Sequence, residues 1–341
     1  MKKYLYYCLL LMLGAAITLA TPATSKSQPS AADFYKGKVF VIIVGHSPGG
    51  GYDTWARMIA PYMGRELGCT VIVKNVVGAA AKVAVTQMRD QSDGLTIGTM
   101  NIMTGFLQQV YTPEKVKFDL GQYNWLGILT RTYQAFVVSP KLGIKTVDDL
   151  KKLDEITAGV DRPESGMAMR IRILSMLLNK PIKLVLGYRG SSEINLAVMR
   201  QEVTGGVPGI STALALVESG DLVPIVTTET TRLPAIPNIP TVYELRSLAP
   251  EEKELMDLAF GLDPGRYVLA PPAIPKQRLD FLKEAFRKVC LDPGLQEKAT
   301  KFGEPISYQP GEVMEKLIKN VLSMSPQTKA KLADIVGFTY K

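Results

Sequence analysis

Lys38-Val39-Phe40-Val41-Ile42-Ile43-Val44 runs into Gly45-His46-Ser47-Pro48-Gly49-Gly50-Gly51, and then into Tyr52-Asp53-Thr54-Trp55-Ala56-Arg57-Met58-Ile59. The first segment is apolar and rich in β-branched residues after its lysine, the pattern of a parallel strand covered on both faces. Three successive glycines then bare the backbone, and apolar residues resume at helical spacing. Strand, glycine-rich turn and helix in that order leave N–H groups and the positive end of a helix dipole at the turn. Such a turn favours an anion, a carboxylate or a phosphate. It names neither the ligand nor a reaction.

Upstream, Lys2 and Lys3 precede an apolar run from Leu5 to Ala20, and Ala20, Ala23 and Ser25 come before the polar Lys26-Ser27-Gln28. That is the layout of a secretory signal peptide over residues 1–25, cleaved between Ala20 and Ser27. The run is short for a membrane anchor and contains Gly14 and Thr18. Cys8 stands too early for a lipoprotein attachment site. No later stretch reaches membrane-spanning length, so the expectation is a soluble, exported, periplasmic protein.

A chain of 341 residues has room for two domains with their own cores. The formal charge of +8 is scattered, which favours small anionic molecules and no nucleic acid, since a basic stripe with interleaved aromatics is missing. One histidine and two distant cysteines beyond the leader, Cys69 and Cys290, give no metal-ligand spacing. No metal and no cofactor are expected. Whether the two cysteines pair in an oxidising compartment stays open at this level.

Further along, 52–67 reads as a helix ending at Gly68, with Trp55, Met58, Ile59, Tyr62, Met63 and Leu67 on one face and Pro61 kinking it. Thr70–Val73 is a strand, 79–90 a helix, and Leu95–Thr99 a third strand. Alternation at this pace implies right-handed βαβ units on a parallel sheet. The pattern then restarts. Thr146-Val147-Asp148-Asp149 resembles a capping box, and Ile156–Val160 is a strand. Asp161-Arg162-Pro163-Glu164-Ser165-Gly166 turns into a helix over 167–178. Strands at 182–186, 203–207 and 222–227 alternate with helices at 191–200 and 210–218. Pro234, Pro237 and Pro240 mark a rigid surface connector. One more strand (266–270) and helices at 275–290, 294–302 and 311–336 complete the chain. Ligands of open parallel sheets bind at the carboxyl ends of the strands.

Gly45-His46-Ser47-Pro48-Gly49 matches the G-x-S-x-G nucleophile elbow in its proper strand–turn–helix setting. A serine hydrolase needs a histidine base arriving from elsewhere in the chain, and the one histidine lies inside the motif. No Gly-Lys-Ser/Thr follows for a phosphate loop, and no G-x-G-x-x-G for a dinucleotide. Anion binding by backbone groups, helped by Ser47 and His46, survives. Asp53 reads first as a cap or first-turn acid and second as a ligand acceptor. Ser165 divides equally between capping and ligand binding. Arg162 and Glu164 read as solvated turn charges. Tyr188, in a third turn with Arg189-Gly190-Ser191, reads as core packing by default and as a cleft wall otherwise.

From about Lys38 to about Gln309 the chain resembles the substrate-binding proteins of tripartite tricarboxylate transporters, the Bug family. The resemblance rests on Ser47-Pro48-Gly49-Gly50-Gly51-Tyr52-Asp53 with Ala56-Arg57, and on Leu67-Gly68 before Val71-Ile72-Val73-Lys74-Asn75. Ser92-Asp93-Gly94-Leu95-Thr96, Tyr188-Arg189-Gly190, the run from Leu233 to Glu244, and Ala270-Pro271-Pro272-Ala273-Ile274-Pro275 add to it. It implies a type II periplasmic-binding-protein fold, two α/β domains around a ligand cleft. Domain 1 would take 36–137, an inserted domain 2 would take 138–262, and 263–341 would return to domain 1.

The resemblance also implies a non-enzymatic receptor for a small carboxylate, held by Ser47–Asp53 and by Asp161–Met167. The candidate ligand-binding residues are His46, Ser47, Gly49, Gly50, Gly51, Tyr52, Asp53, Asn101, Asp161, Ser165, Gly166, Met167, Tyr188 and Pro208. Integral membrane transporter subunits are the implied partners of a monomeric receptor. A serine hydrolase and a ligand-sensing partner of a signalling receptor remain as alternatives. The chain departs from the family pattern at Gly78-Ala79-Ala80-Ala81-Lys82, at Thr204 and at His46, and Lys82 and His46 are expected to add positive charge to the cleft.

Overall fold

The computed structural model describes residues 30–337 except Ile102 and Pro264, so the expected signal peptide over 1–25 lies outside the described residues. Two sheets organise the chain. In the first, β1 (Val39–Val44) lies parallel between β2 (Thr70–Asn75) and β3 (Thr96–Thr99), separated by α1 (Ala31–Tyr35), α2 (Gly51–Leu67) and α3 (Lys82–Arg89) in chain order. α4 (Met103–Tyr111) leads to β4 (Asn124–Thr130). β10 (Arg266–Ala270) inserts antiparallel between β3 and β4, and β11 (Gln309–Pro310) closes the edge beyond β4.

The second sheet has the order β7–β6–β8–β5–β9, with β5 (Ala135–Val138), β6 (Ile156–Gly159), β7 (Ile182–Val185), β8 (Gly205–Gly206) and β9 (Val223–Thr227). β6 runs parallel to β7 and β8, while β5 is antiparallel to β8 and β9. The expectation of purely parallel sheets is therefore corrected: each sheet is mixed. Two of the antiparallel strands, β5 and β10, are those on which the chain enters each sheet as it passes from one to the other. Helices α5 (Val147–Lys151), α6 (Gly166–Leu178), α7 (Ser191–Met199), α8 (Ile210–Glu218) and α9 (Pro250–Gly261) accompany this sheet, and α10 (Lys276–Leu291), α11 (Pro293–Lys301), α12 (Glu312–Leu322) and α13 (Pro326–Val336) follow β10.

Local sequence accounts for most of these elements. α2 buries Trp55, Ile59, Tyr62, Met63 and Leu67 and ends on Gly68 at φ 65°. It runs unbroken through Pro61, which faces solvent. Thr146 and Asp149 form the capping box expected for α5. The thiols of Cys69 and Cys290 are free.

Two readings change. The helix expected over 79–90 begins only at Lys82, because Ala79, Ala80 and Ala81 all take positive φ (46°, 55° and 68°). That left-handed turn brings Ala81 into the core against Gly45, where a β-carbon would lie 2.7 Å from the Ala81 Cβ. The helix expected over 311–336 is two helices. Ser325 caps the second and Pro326 opens it, since proline suits a first turn and not a helix interior. α12 packs on β4, but α13 packs against α6 and α9, where the Arg172 Nη1 donates to Val336 O (3.0 Å) and the Tyr111 hydroxyl to Lys329 O (2.7 Å).

Left-handed backbone costs an L-residue about 1–2 kcal/mol, and glycine escapes that at a smaller entropic cost. Ala79 is exposed, so Ala79→Gly loses no packing. Chemical denaturation should show it more stable than the parent by about 0.5–1 kcal/mol; an equal loss would mean that the turn is not left-handed in solution.

Candidate functional site

Register decides what meets at the first turn. Val44 pairs with Asn75 on one side and Thr99 on the other, so the ends of β2 and β3 flank residues 45–51. Asn75 Nδ2 donates to His46 O at 3.0 Å and to Asp53 Oδ1 at 2.9 Å. Asp53 Oδ2 accepts the Gly49 N–H (2.8 Å) and the Arg57 Nε–H (3.0 Å). Burial works against the Asp53 charge, but Arg57, the Gly49 N–H and Asn75 outweigh it and hold the carboxyl below its ordinary range. Asp53 thus fixes the turn from inside as a first-turn acid, while the N-cap position is Gly50, without a side-chain cap bond. Ser47, Gly49 and Gly50 are exposed, and the first-turn N–H groups of α2 at Gly51 and Tyr52 point out of the helix end.

His46 stacks on Tyr52 with ring centroids 4.7 Å apart, and its Nε2 accepts the Asn101 N–H at 2.9 Å. That bond places the imidazole proton on Nδ1, leaving a neutral donor. Burial, and then the charges of Arg162 and Arg266, lower its pKa to about 4. The positive charge expected from His46 is therefore absent, because a protonated ring there would be poorly solvated and beside two guanidiniums. Lys82 donates to Gln108 at 2.8 Å. Tyr52 donates to Gly265 O (3.3 Å) and lies under the Arg266 guanidinium, 5.0 Å from ring centroid. Burial first, then Asp263, pushes its hydroxyl pKa up.

In the second sheet Gly159 pairs with Val185 and Gly206, which sets the turn at 160–165 beside those at 186–190 and 207–209. The Ser165 hydroxyl donates to Arg162 O (3.0 Å) and accepts the Ala168 N–H (3.2 Å), so it caps α6. Arg162 is not a solvated charge: its Nε donates to Thr104 Oγ1 of α4 at 3.3 Å, reaching the first sheet's side of the gap. Asn101 and Gly166 meet at Asp263, whose carboxylate takes the Asn101 Nδ2–H at 3.1 Å and crowds Gly166. The two predicted turns therefore converge on one place. Met167 packs against the hydrophobic clusters, Tyr188 packs against Gly159 and Ile194, and Pro208 is buried at the end of β8.

Sequence reasoning missed Arg170, Asp263, Arg266 and Glu304. The Arg266 guanidinium pairs with Glu304 through Nε and Nη2, both at 2.9 Å. Trp55 Nε1 and the Ser211 hydroxyl donate to the same carboxylate. An isolated acid and an isolated arginine carry no local signal, and only the burial of four charges between strand ends could have pointed to them.

Residues 55–329 match the model of the tripartite tricarboxylate transporter family receptor. The chain belongs to that family. This receptor is a solute-binding protein in kind, and its fold is that of the Bug-type periplasmic binding proteins. BugT of Bordetella pertussis (strain Tohama I) is 24% identical over 243 residues, 68% of this chain and 73% of that protein. A protein of the TAR-I ttuE–ttuC′ intergenic region of Agrobacterium vitis is 23% identical over 279 residues, 80% of this receptor and 77% of its own length. The periplasmic binding protein BugD superposes with a TM-score of 0.70 at 20% identity, over 89% of this receptor and 99% of that chain. MatC of Rhodopseudomonas palustris, solved with malate, gives 0.68 at 18% identity over 88% and 99%. An R. palustris protein solved with adipate gives 0.69 at 18% identity over 88% and 97%. Among the described residues no helix is long and apolar enough to cross a membrane.

The single histidine makes the electrostatics of this site readable by NMR. The His46 ring protons should titrate near pH 4, not near 6.5. Between those values the unfolded chain binds a proton that the folded one does not, so stability should fall as pH drops from 6.5 toward 4. A midpoint near 6.5 would mean an exposed ring without the Asn101 bond.

Proposed function

We propose that this receptor captures a small carboxylate in the periplasm, after export through residues 1–25, and presents it unchanged to the membrane subunits of a tripartite tricarboxylate-type transporter. The observation that carries the reading is the open start of α2 at Gly51, with exposed glycines before it and the neutral His46 ring beside it, facing the α6 start across Asn101 and Asp263. Helix starts offer fixed N–H donors that stabilise an anion at no cost in reorganisation. The relatives solved with malate and adipate supply the ligand class by analogy. In this reading each sheet with its helices forms one lobe; the expected boundary at 137 moves ahead of β5, which pairs in the second sheet, and α13, expected with the first lobe, packs on α6 and α9 of the second. Ligand contacts on both favour the closed form.

A hydrolytic role for Ser47 is disfavoured by the same geometry. His46 uses Nε2 on the Asn101 N–H, and the chain has no second histidine to serve as base. Malate or adipate at a hundredfold its dissociation constant should stabilise the protein by about 2.7 kcal/mol in thermal unfolding, because ligand binds only the folded state. Native mass spectrometry of protein purified without denaturation should find a retained carboxylate. Stoichiometric labelling of Ser47 by a serine-directed phosphonate would overturn the receptor reading.

Gly50 has φ −77°, which any residue adopts, and a β-carbon there would lie 3.3 Å from Ser47 O. Gly50→Val should fold with nearly the parent's melting temperature yet bind its carboxylate at least ~tenfold more weakly, since the branched side chain covers the N–H groups. Unchanged affinity, measured by calorimetry on the folded variant, would move the site away from this turn.

A further inference from the structure

A carboxylate of the chain itself already stands at the start of α6. Asp263 Oδ2 accepts from Arg170 Nη1 at 2.6 Å, and Oδ1 from Asn101 Nδ2 at 3.1 Å. Arg170 belongs to α6 and Asn101 follows β3, so one carboxylate ties the two sheets together across the gap between the turns. It lies so close over Gly166 that a β-carbon there would collide with Oδ2. Asp263 and Arg170 are only 8% and 2% exposed, so this is a built position and not a surface pair. The place that an anion would take at the α6 N-terminus is filled from within.

A second observation concerns the same turn. Asp161 Oδ1 is buried and has no hydrogen-bond partner among the described residues, while Oδ2 pairs with Arg162 Nη1 at 3.2 Å. A buried acceptor left unmet costs free energy that an incoming donor recovers. Arg170 Nε is also buried and unmet, but Arg170 borders a cavity of about 20 Å³ with Glu229, Phe260 and Asp263, room for one water. The α6 side of the gap therefore presents two acids, each paired with an arginine of the same side, and one of them, Asp161, keeps an unmet oxygen. The α2 side presents free N–H groups, the neutral His46 ring and the nearby Arg266. The α2 side thus offers open donors, and the α6 side offers acceptors whose charge is already matched.

Resting on the carboxylate reading above, we infer that the ligand carries a single carboxylate, directed to the start of α2, and a hydrogen-bond donor, a hydroxyl or an ammonium, directed to Asp161 and Asp263. Each carboxylate oxygen of Asp263 has used one lone pair and keeps another to accept. A second ligand carboxylate directed to the start of α6 would find that place filled by the Asp263 carboxylate, which already takes the Arg170 and Asn101 donors. Asp263 thus selects against diacids by occupying their second position, a built-in blocking element of the kind that specificity commonly needs.

The test is calorimetry on the purified receptor, freed of retained ligand, with length-matched pairs: adipate against ε-aminocaproate, and malate against β-hydroxybutyrate. In the parent the monocarboxylate of at least one pair should bind ~tenfold tighter or more than the diacid. Asp263→Ala, which opens the place beside Arg170 and Asn101, should move that ratio at least ~tenfold toward the diacid. Asp263→Asn, which keeps the shape, carries the same comparison if the alanine variant does not fold. Tighter diacid binding by the parent, or a ratio unmoved in a folded variant, overturns the inference and leaves the carboxylate receptor standing. If no member of either pair binds, the carboxylate reading falls and this inference falls with it.

Discussion

The ion pair between Arg266 and Glu304 is the constraint on which the rest of the site depends. Glu304 is fully buried and Arg266 nearly so, and moving two such charges out of water costs several kcal/mol each. Burial alone would raise the Glu304 pKa; the Arg266 charge, its two hydrogen bonds and those of Ser211 and Trp55 outweigh this and hold it below the ordinary value. Two parallel N–H···O bonds make the geometry rigid as well as strong. Because Trp55 is on α2, Arg266 on β10 and Ser211 on α8, a single carboxylate fixes three elements, one of them beside the second sheet.

The consequences run outward to the ligand turn. The Arg266 guanidinium leaves no room for a side chain at Gly51, where a β-carbon would lie 2.6 Å from Nη2, and this explains a glycine at a position with ordinary φ. Tyr52 lies under the same guanidinium, His46 stacks on Tyr52, and the His46 ring receives the Asn101 N–H. The glycine-rich turn is therefore shaped by ordinary packing on one side and by Asp53, Asn75 and Arg57 on the other. Its donors are preorganised before any ligand arrives, which reduces the ordering cost of binding.

Across the gap a different logic holds. The carboxyl edge of the second sheet brings Asp161, Ser165 and Gly166 together, but Ser165 is used as a cap and Asp263 covers Gly166. Asn101, Asp263 and Arg170 link the two sheets with hydrogen bonds, and Arg162 adds a link to Thr104. Beneath these links one buried cluster runs from Ile43 and Trp125 to Leu177 and Val336, spanning both sheets and including Met100, Val160, Ala168 and Leu262 next to the site residues.

What the sequence determined by itself was local. An apolar β-branched run specified β1, glycines specified the turn, and 3.6-residue spacing with Gly68 specified α2, within a residue of the observed ends. The G-x-S-x-G match and the lone histidine were also enough to disfavour a catalytic base, since that argument needs only a count. Strand direction was not legible, because Arg266–Ala270 reads alike whether parallel or antiparallel, and neighbours far along the chain settle it. Ala79–Ala81 read as helix by propensity, and only the core contact at Gly45 pays for their left-handed turn. Asp263 and Arg170 stand 93 residues apart, as do Ser211 and Glu304. Nothing in either local sequence records that partner. A buried charge is tolerable only where its counter-charge arrives, and that arrival is a property of the tertiary fold alone.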